Sequence, residues 1–582
     1  MKKVLLNVFV ATCSACAAEI VVDGSQGQMI QSGLDAAKAG DTVIVKPGRY
    51  AETVTFKTSG TPEVPITLKA EKPGTVLIDG SDPVTGWQKV AKPEDVANTP
   101  NWKNLYFAEV PKDKTCMNLC LYEDGKFCAF AQDPVPSDPF YYDNREEYIP
   151  VDAATYSAES ITDPKYFTQK DPHYWDGATV IVWTANNNMI YRPVWGFHPE
   201  TGTINYQSVG GYIRPTRDRF AMANHLDLIR KPGDYVVKKN PATGVNTLYY
   251  WPFDVANLDA GKVTRSVRFN GIKTNAQSHL VIEGFDLRGY SDSAIVNPYG
   301  KFAENITVRN NHVYQSQHSS AAVALSSVHN ALVEDNYIHD IQLGLGIGVV
   351  GATNDRDLPA RNATIRNNRI SRGGRAAIVF FNVTEGKMLG NLVHDNLGHH
   401  ASGLVAYLGC RDTLVQGNTV MRANCALSVQ DGDRLTVRDN IFIGNGEESV
   451  HLFLVAAFAA NLPNATFENN VLFGARNSFL IPADITNYVI RKNVLCGLDI
   501  RTQQRPGELV VENNIITRKT SDASRDATYA ENNTFETDLA KIFVDAVNGD
   551  FRRVKGGPLM EAGLLESGRK IDLHPGPWPG RQ

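Results

Sequence analysis

Acidic residues in two neighbouring repeats of the sequence could supply the carboxylate pair that hydrolyses a glycosidic bond. Asp431 lies in SVQDGDRLTV, and Glu447 and Glu448 lie in GNGEESVHLF. Glycoside hydrolases use two carboxylates, about 5–5.5 Å apart for retention and about 6.5–9.5 Å apart for inversion, and equivalent positions on adjacent β-coils lie about 4.8 Å apart. The sequence therefore predicts Asp431 and Glu448 as the catalytic pair, with Glu447 beside them. Asp-Gly is also a common turn dipeptide, which is the alternative interpretation of Asp431.

Asp395 is a further acidic candidate, but it belongs to a series of polar residues that each follow a repeated Asn by four positions. The series predicts either a pair of working carboxylates or a surface ladder of alternating charges. Asp340 and Asp395 would lie two repeats apart, a separation that suits an inverting mechanism. His precedes Asp at both positions, which favours the ladder. The series is Gln315, Asp340, Arg372, Asp395 and Arg422.

Polar and aromatic residues near these acids are predicted to bind or orient a substrate. His400 could orient a carboxylate or act as a base, because histidine titrates near neutral pH; a solvated turn histidine is the alternative. His399 is adjacent, and only one of the two is expected to face the site. The predicted substrate-binding residues are His400, His399, Tyr407, His451, Arg375 and Gln430.

These candidates lie within a repeat that extends from His279 to Thr517. A β-branched residue, a small or charged residue, Asn and an apolar pair recur with successive Asn 21 to 32 residues apart. The period-2 alternation predicts strands, and the repeat predicts a solenoid of parallel β-coils. Stacking would place Asn above Asn at a turn, where the amides can hydrogen-bond along the stack. The repeated residues are Asn311, Asn336, Asn368, Asn391, Asn418, Asn440, Asn470, Asn493 and Asn514.

A further strand is predicted about ten positions after each repeated Asn. Its alternation points Ser428 and Phe453, together with Tyr407, Gln430 and His451, to the outside. An outward face with polar, aromatic and ionisable residues is the site that the sequence predicts. The residues assigned to the interior are Val323, Ile347, Ile378, Leu404, Leu427 and Val450.

The repeat and shifts in composition divide the chain into five predicted segments. Lys2 and Lys3, an apolar run and small residues at positions 15–17 predict a signal peptide, so the protein is expected to be secreted or periplasmic. A cap helix is predicted around residues 30–39, and aromatic-rich strands with frequent turns predict an inserted β-sandwich-like domain. The segments are a signal peptide (1–18), an N-terminal cap with the first coils (19–80), the inserted domain (81–265), the main β-helix (266–520) and a C-terminal cap (521–582).

Composition excludes several classes of partner. The net charge of −5 and pI near 6.2 give no sign of nucleic-acid binding, and no later apolar stretch is long enough to span a membrane. Cys120 and Cys128 could pair across a hairpin that turns at Asp124, but no cysteine spacing suggests zinc. Residues 141–175 are rich in Tyr and acids and predict a lid or an exposed loop. The oligomeric state is not indicated.

Several phrases resemble a known family. AGDTVIVKPGRY, PITLKAEKPGTVLIDG and FVDAVNGDFRRVKGGPLMEAG resemble secreted right-handed parallel β-helix proteins of the pectate-lyase-like superfamily. NHLDLIRKPGDYVVKKNPATGVNTLYYWPFD is similar to β-helix glycosidases with an inserted β-domain, which include α-fucosidases, xylanases and β-xylosidases. The resemblance implies an all-β right-handed parallel β-helix and glycoside hydrolysis. An acidic pair often follows the site strand in those glycosidases, whereas this chain has Gln430 and Asp431 there.

Three functions fit the sequence. The first is a glycoside hydrolase acting on a polysaccharide or its oligosaccharides, with no organic cofactor. The second is a polysaccharide lyase or uronate epimerase, in which a base and a cation act on a uronate; Arg372, Arg375, Lys387 and His400 could serve, and Ca²⁺ is expected only in this case. The third is a non-catalytic carbohydrate-binding protein of the cell surface.

Overall fold

Parallel β-coils form most of the molecule. The computed structural model describes residues 17–575 except 142–143, 152–154, 186–187, 211–218, 241–243, 317–319, 353–354, 356, 399, 446–450, 457–461, 482–484, 501–508, 519–530 and 559–568. Successive coils each add one strand to three parallel sheets, which enclose one apolar core. Among the described residues, α-helix is limited to Ile30–Ala36, Ala256–Asp259 and Pro558. The predicted all-β solenoid is confirmed.

The first sheet contains the strand before each repeated Asn. Neighbouring strands pair in parallel, for example Leu280 beside Ile306. Ala360–Arg361 and Val383–Thr384 also join this sheet. Its other strands are Glu19–Val22, Thr42–Val45, Ile66–Ala70, Leu280–Glu283, Ile306–Arg309, Leu332–Glu334, Thr364–Arg366, Lys387–Leu389, Arg411–Gln416, Asp433–Arg438, Leu462–Glu468, Ile485–Arg491 and Leu509–Glu512.

The second sheet contains the strand after each repeated Asn. Its alternating side chains face the core and the outside, as in Val313 and Tyr314. Its strands are Gly48–Tyr50, Val76–Asp79, Asp286–Arg288, His312–Ser316, Tyr337–Ile341, Arg369–Gly373, Leu392–Asn396, Thr419–Ala423, Ile441–Ile443, Val471–Phe473, Val494–Leu495, Ile515–Ile516 and Thr534–Phe535.

The third sheet contains the strand predicted about ten positions after the Asn. The predicted interior residues Val323, Ile347, Ile378, Leu404 and Leu427 are fully buried in the main core, whereas Val450 lies outside the described residues. The sheet's strands are Val54–Thr55, Ile272–Lys273, Ile295–Asn297, Ala321–Ser326, Leu345–Val350, Ile378–Phe381, Ser402–Tyr407, Cys425–Gln430, His451–Ala456, Asn477–Ile481 and Leu498–Ile500.

Phe453 corrects the predicted orientation of one strand. It pairs with the interior residue Leu427 and is buried in the core rather than outward-facing. Its ring contacts the core rings of Phe442, Phe467 and Phe479. Burial of this aromatic cluster therefore sets the orientation, because each large ring removes much apolar surface from water.

The repeated Asn residues form a buried ladder at the turn between the first and second sheets. Each amide donates to the Oδ1 of the next Asn at 2.8–3.1 Å, and the ladder continues one rung further to Asn533. The residue before each Asn is left-handed, for example Asn310 with φ 54° and Gly417 with φ 69°. Asn, Asp and Gly tolerate this conformation best, which explains their recurrence at that position.

An antiparallel region lies between the first coils and the main series. It contains a four-stranded sheet (Lys126–Cys128, Leu121–Glu123, Val263–Ser266, Ser81–Pro83), a seven-stranded sheet (Gln132–Asp133, Arg219–Ala223, Thr179–Ala185, Asn188–His198, Thr203–Tyr206, Ser160–Thr162, Ile149–Pro150) and another four-stranded sheet (Tyr235–Lys239, Asn246–Tyr250, Tyr106–Val110, Gln88–Lys89).

Some residues of the stretch predicted to form a lid or an exposed loop contribute to the core of this region. Tyr148, Phe167 and Trp175 are buried, because their rings pack against Trp183, Phe220 and each other. Cys120 and Cys128 lie at the predicted hairpin but are not joined by a disulfide, and all six described cysteines are buried. The antiparallel region thus has apolar cores of its own.

The antiparallel region also contacts the coils. The Tyr122 hydroxyl donates to the Gln315 carbonyl at 2.7 Å, and the Gln315 amide donates to the Gly125 carbonyl at 2.6 Å. One coil further on, Gln342 donates to the Pro139 carbonyl at 2.5 Å. These bonds hold the region against the end of the second sheet.

A helix and a C-terminal segment cover parts of the solenoid. The predicted cap helix spans Ile30–Ala36, and Glu52 accepts hydrogen bonds from its first two backbone amides. At the other end, Phe543 and Phe551 pack on an outer apolar stripe of the second sheet; the stripe is Ile441, Val471, Val494 and Ile515. The chain then continues along that sheet, where Arg369 donates to the Pro575 carbonyl at 2.6 Å.

Candidate functional site

Asp431 lies at one border of the third sheet, immediately after the strand Cys425–Gln430. Its backbone is left-handed, with φ 52°, and its side chain is buried. This conformation fits the turn interpretation of Asp-Gly. It also holds a buried carboxylate at the edge of the outward face. The turn and the functional interpretations are therefore compatible at this residue.

A pair of aromatic rings lies beside Asp431 on two preceding coils. Phe381 and Tyr407 are neighbours in the sheet, and their rings stack 5.7 Å apart at 16°. The Tyr407 hydroxyl and the buried Ser428 hydroxyl are 2.6 Å apart, and burial raises the pKa of Tyr407. Gln430 ends the next strand and is half-buried. Phe381 was not among the predicted site residues, although it occupies the position of Tyr407 one coil earlier.

The other acids at this border are engaged in ion pairs. Arg434 donates to both carboxylate oxygens of Asp412, at 2.6 and 2.9 Å, and it also contacts Asp433. Hydrogen bonding from Arg434 lowers the pKa of Asp412. Asp412 and Asp433 thus share one guanidinium as structural partners.

Arg375 and His400 lie at the opposite border of the third sheet. Their backbones pair in parallel on adjacent coils, and both side chains are exposed. Surrounding protein atoms, and then the positive charge of Arg375, lower the pKa of His400. At about 3.3 Å per residue, this border lies about 20 Å from the Asp431 border. The structure therefore pairs these two residues but does not bring them to Asp431.

The centre of the outward face of the third sheet is apolar, and its side chains are buried. Val379 and Val405 are fully buried in a small cluster outside the main core. Leu345, Phe381 and Tyr407 pack against this cluster. The polar candidates therefore divide into two groups, one at each border.

The side chains of four predicted site residues lie outside the described part of the structure. Glu447, Glu448 and His399 lie outside the described residues, and His451 begins a strand whose first side chain is also outside the description. In the sequence Glu448 precedes the strand His451–Ala456, whereas Asp431 follows its own strand. The two acids are therefore not at equivalent positions, and the spacing of adjacent coils does not apply to them.

Asp395 lies on the second sheet within the charged ladder. Arg422 donates to its two oxygens at 2.5 and 3.0 Å, and its Oδ2 lies 2.7 Å from His394 Nδ1. Burial alone would raise the pKa of Asp395, but these hydrogen bonds outweigh it and lower the pKa well below its usual range. Asp340 is bonded in the same way by Arg372 and His339. This geometry favours the structural interpretation of the ladder.

Two further properties concern metals and membranes. Among the described residues, no group of three or more His, Cys, Asp or Glu side chains is arranged to hold a metal ion. Within that same part of the chain, the helices are too short and too polar to cross a membrane.

Two sequence families match parts of the chain. The model of the right-handed β-helix region matches residues 294–472, and the model of chondroitinase B matches residues 25–86. No curated protein matches the chain. The first match agrees with the observed coils, and the expected right-handed parallel β-helix is confirmed.

Solved structures of similar fold cover most of the chain. A protein named "Glycoside hydrolase" has a TM-score of 0.54 at 14% identity, covering 90% of this chain and 96% of that chain. XylC, solved with xylose, scores 0.46 at 14% identity over 89% and 86%. An alginate lyase from Paenibacillus sp. scores 0.38 at 11% identity over 79% and 97%. Of these three structures, only the first has a TM-score above 0.5, and at 14% identity its likeness concerns the fold alone.

Proposed function

We propose that this protein is a carbohydrate-active enzyme of the glycoside hydrolase type, which cleaves a polysaccharide or its oligosaccharides at the Asp431 border of the third sheet. One observation carries the proposal: three consecutive coils bring Phe381, Tyr407 and Asp431 to the same border. Aromatic rings provide stacking surfaces for sugar rings, and a carboxylate is the reacting group of most glycosidases.

The proposed roles follow from the chemistry of each side chain. Asp431 is the proposed catalytic carboxylate of this border. The half-buried Tyr407 ring contacts a sugar face, while Gln430 binds sugar hydroxyls. In this proposal Asp431 acts as the general acid, which donates a proton to the leaving oxygen. The residues before position 19 are proposed to direct the protein out of the cytoplasm.

Incubation with a panel of polysaccharides tests the proposal. We expect new reducing ends without the ultraviolet absorbance of an unsaturated uronate. Asp431→Asn should abolish most of this activity, whereas Asp412→Asn should not, because Asp412 is paired with Arg434. Full hydrolysis by the Asp431 variant would contradict the assignment, and retention of a polysaccharide without turnover would indicate a binding protein.

The residues at the opposite border of the third sheet favour a second candidate function, that of a polysaccharide lyase. Arg375 and His400 are exposed on adjacent coils, and the lowered pKa of His400 leaves it neutral at pH 7. A neutral imidazole beside a guanidinium suits proton abstraction from a uronate, as in a polysaccharide lyase. The same assay distinguishes this case, because elimination produces the ultraviolet absorbance and should then depend on His400. Ca²⁺ dependence would be examined only if elimination is observed.

A further inference from the structure

Trp195 differs in exposure from the other tryptophans that the structure describes. It is 63% exposed, whereas Trp175 and Trp183 are buried and the remaining ones are half-buried. It lies on the strand Asn188–His198 of the antiparallel region. A single exposed apolar side chain is common on protein surfaces, so the backbone and the neighbours of Trp195 decide what its exposure means.

A β-bulge turns Trp195 outward. Val194 and Gly196 pair with consecutive residues of the neighbouring strand, so Trp195 is an extra residue between them. Val194 and Phe197 face the core, at 5% and 4% exposure, and the two residues between them both lie on the outer side. A regular strand would send one of those two inward. Bulges re-aim side chains in this way and are frequent beside functional sites.

The surface around Trp195 consists of polar side chains that hydrogen-bond one another. Thr203 Oγ1 lies 2.8 Å from the hydroxyl oxygens of both Thr162 and Thr201. The Asn205 amide donates to His198 Nε2 at 2.9 Å. These bonds hold the side chains in place on three neighbouring antiparallel strands. We call this surface the Trp195 face, and its residues are Ser160, Thr162, Trp195, His198, Thr203 and Asn205.

The composition of the Trp195 face narrows the class of ligand. None of its six residues is Lys, Arg, Asp or Glu, and Glu200 lies at its edge, 3.7 Å from His198 Nδ1. A polyanion requires cationic side chains, and a protein interface requires an apolar centre larger than one ring. An aromatic ring among hydroxyl and amide groups instead matches a neutral saccharide, which has both C–H faces and hydroxyls.

We propose that the Trp195 face binds a neutral polysaccharide, whose sugar ring stacks on Trp195 while its hydroxyls hydrogen-bond to Thr203 and Asn205. A hydroxyl has one donor and two acceptor positions and an amide has two donors, so both side chains keep capacity for a ligand. Gly196, Asn205 and Ser160 lie side by side on three strands, a row of about 10 Å. The face is an accessory binding site of the antiparallel region and does not depend on hydrolysis at Asp431.

Affinity electrophoresis of the full chain tests the proposal. Native gels contain arabinoxylan, mixed-linkage β-glucan or galactomannan as neutral polymers, and polygalacturonate as the charged one. We expect at least one neutral polymer to retard the protein. Trp195→Ala should weaken this binding about tenfold, because the stacking surface is lost. The denaturation midpoint of the variant should not change, since the ring is exposed.

A second variant and a matched control locate the binding. Gly196→Leu adds bulk beside the Trp195 ring without removing a polar group, and it should also weaken binding. The strand accepts this change, because a Cβ at Gly196 meets only Asn205 atoms, at 3.7 and 3.8 Å. Phe269→Ala is the control, because Phe269 is 64% exposed but lies outside the Trp195 face. Its affinity should equal that of the unmodified protein.

Several outcomes would overturn the proposal. They are the absence of retardation by every neutral polymer, unchanged affinity in both face variants, an equal loss in Phe269→Ala, or Trp195-dependent retardation by polygalacturonate alone. Asp431→Asn should be retarded as strongly as the unmodified protein, and Trp195→Ala should hydrolyse short oligosaccharides at the unmodified rate. Failure of the proposed hydrolysis and failure of the Trp195 face are therefore distinguishable.

Discussion

The turn between the first and second sheets repeats one hydrogen bond from coil to coil, whereas the outer side of the third sheet differs at every coil. At the turn, Asn311 through Asn533 all use their amides for the backbone and for one another. At the third sheet, Phe381, Tyr407 and Gln430 replace one another at one border. Side chains that hydrogen-bond the backbone and each other in every coil have no groups left to react with a substrate. We therefore expect the functional residues on the outward face of the third sheet, which varies from coil to coil.

The largest expected effect is the loss of activity in Asp431→Asn. General acid catalysis contributes about 10²–10⁴-fold, so hydrolysis should fall about a thousandfold, equivalent to about 4 kcal/mol of barrier. Asn tolerates the left-handed backbone of this position, with φ 52°, so folding should be preserved. The measurements are kcat and the denaturation midpoint. A variant that folds and keeps its activity would remove Asp431 from the site.

The next largest effect is expected at the regular turn, in Asn418→Leu. The Asn418 amide donates to Asn440 at 3.0 Å and its Oδ1 accepts from Asn391 at 2.9 Å, all within the core. Leu would leave these buried groups without partners, at a cost of about 3 kcal/mol. Chemical denaturation measures the loss, with Asn205→Ala as the control because its side chain donates only at the surface. Equal stability of the two variants would refute a structural role for the ladder.

Two variants of Tyr407 should separate the contribution of ring stacking to kcat/KM from that of the hydroxyl hydrogen bond. Tyr407→Leu removes the ring that stacks on Phe381, and kcat/KM should fall about tenfold, since such contacts are worth about 0.5–1.5 kcal/mol. Tyr407→Phe keeps the ring but loses the bond to Ser428, so its effect should be smaller. If the Phe variant is the worse of the two, the hydroxyl and not the ring is the important group.

The smallest effect is expected from the charged ladder. The pKa of Asp395 is lower in the folded protein than in the unfolded chain, so its stabilisation is present above about pH 4 and declines as pH falls through the folded pKa. Partial exposure of the pair limits this contribution to below about 1 kcal/mol. Arg422→Met should reduce stability at pH 7 by that amount and flatten the acid dependence. Denaturation midpoints measured from about pH 7 down to about pH 3 would check this, and an unchanged acid slope would argue against the pairing.

Much of the fold could be predicted from the sequence, because the same short pattern of Asn and alternating apolar residues recurs in every coil. The Asn spacing and the alternation of Val323, Ile347 and Ile378 identify the coils and their interior. The orientation of Phe453 could not be predicted in this way, since it depends on rings contributed by other coils.

The site was less predictable for the same physical reason. Tyr407 and Gln430 were identified because they interrupt the repeat, and Phe381 could have been found by aligning Tyr407 with the preceding coil. By contrast, the hydrogen bond from Tyr122 to Gln315 joins residues that are distant in the chain and belong to different sheets. No local pattern indicates such a meeting, since it depends on how the antiparallel region packs against the coils.

The C-terminal segment has a consequence for how the chain folds during synthesis. Coils can stack one after another as they leave the ribosome, because each contacts only its neighbours. The apolar stripe of Ile441, Val471, Val494 and Ile515 nevertheless stays uncovered until Phe543 and Phe551 have been made. The nascent solenoid therefore presents this apolar surface from the synthesis of Ile441 until residues 543–551 have been made. Termination between residues 515 and 543 would release an almost complete but aggregation-prone protein.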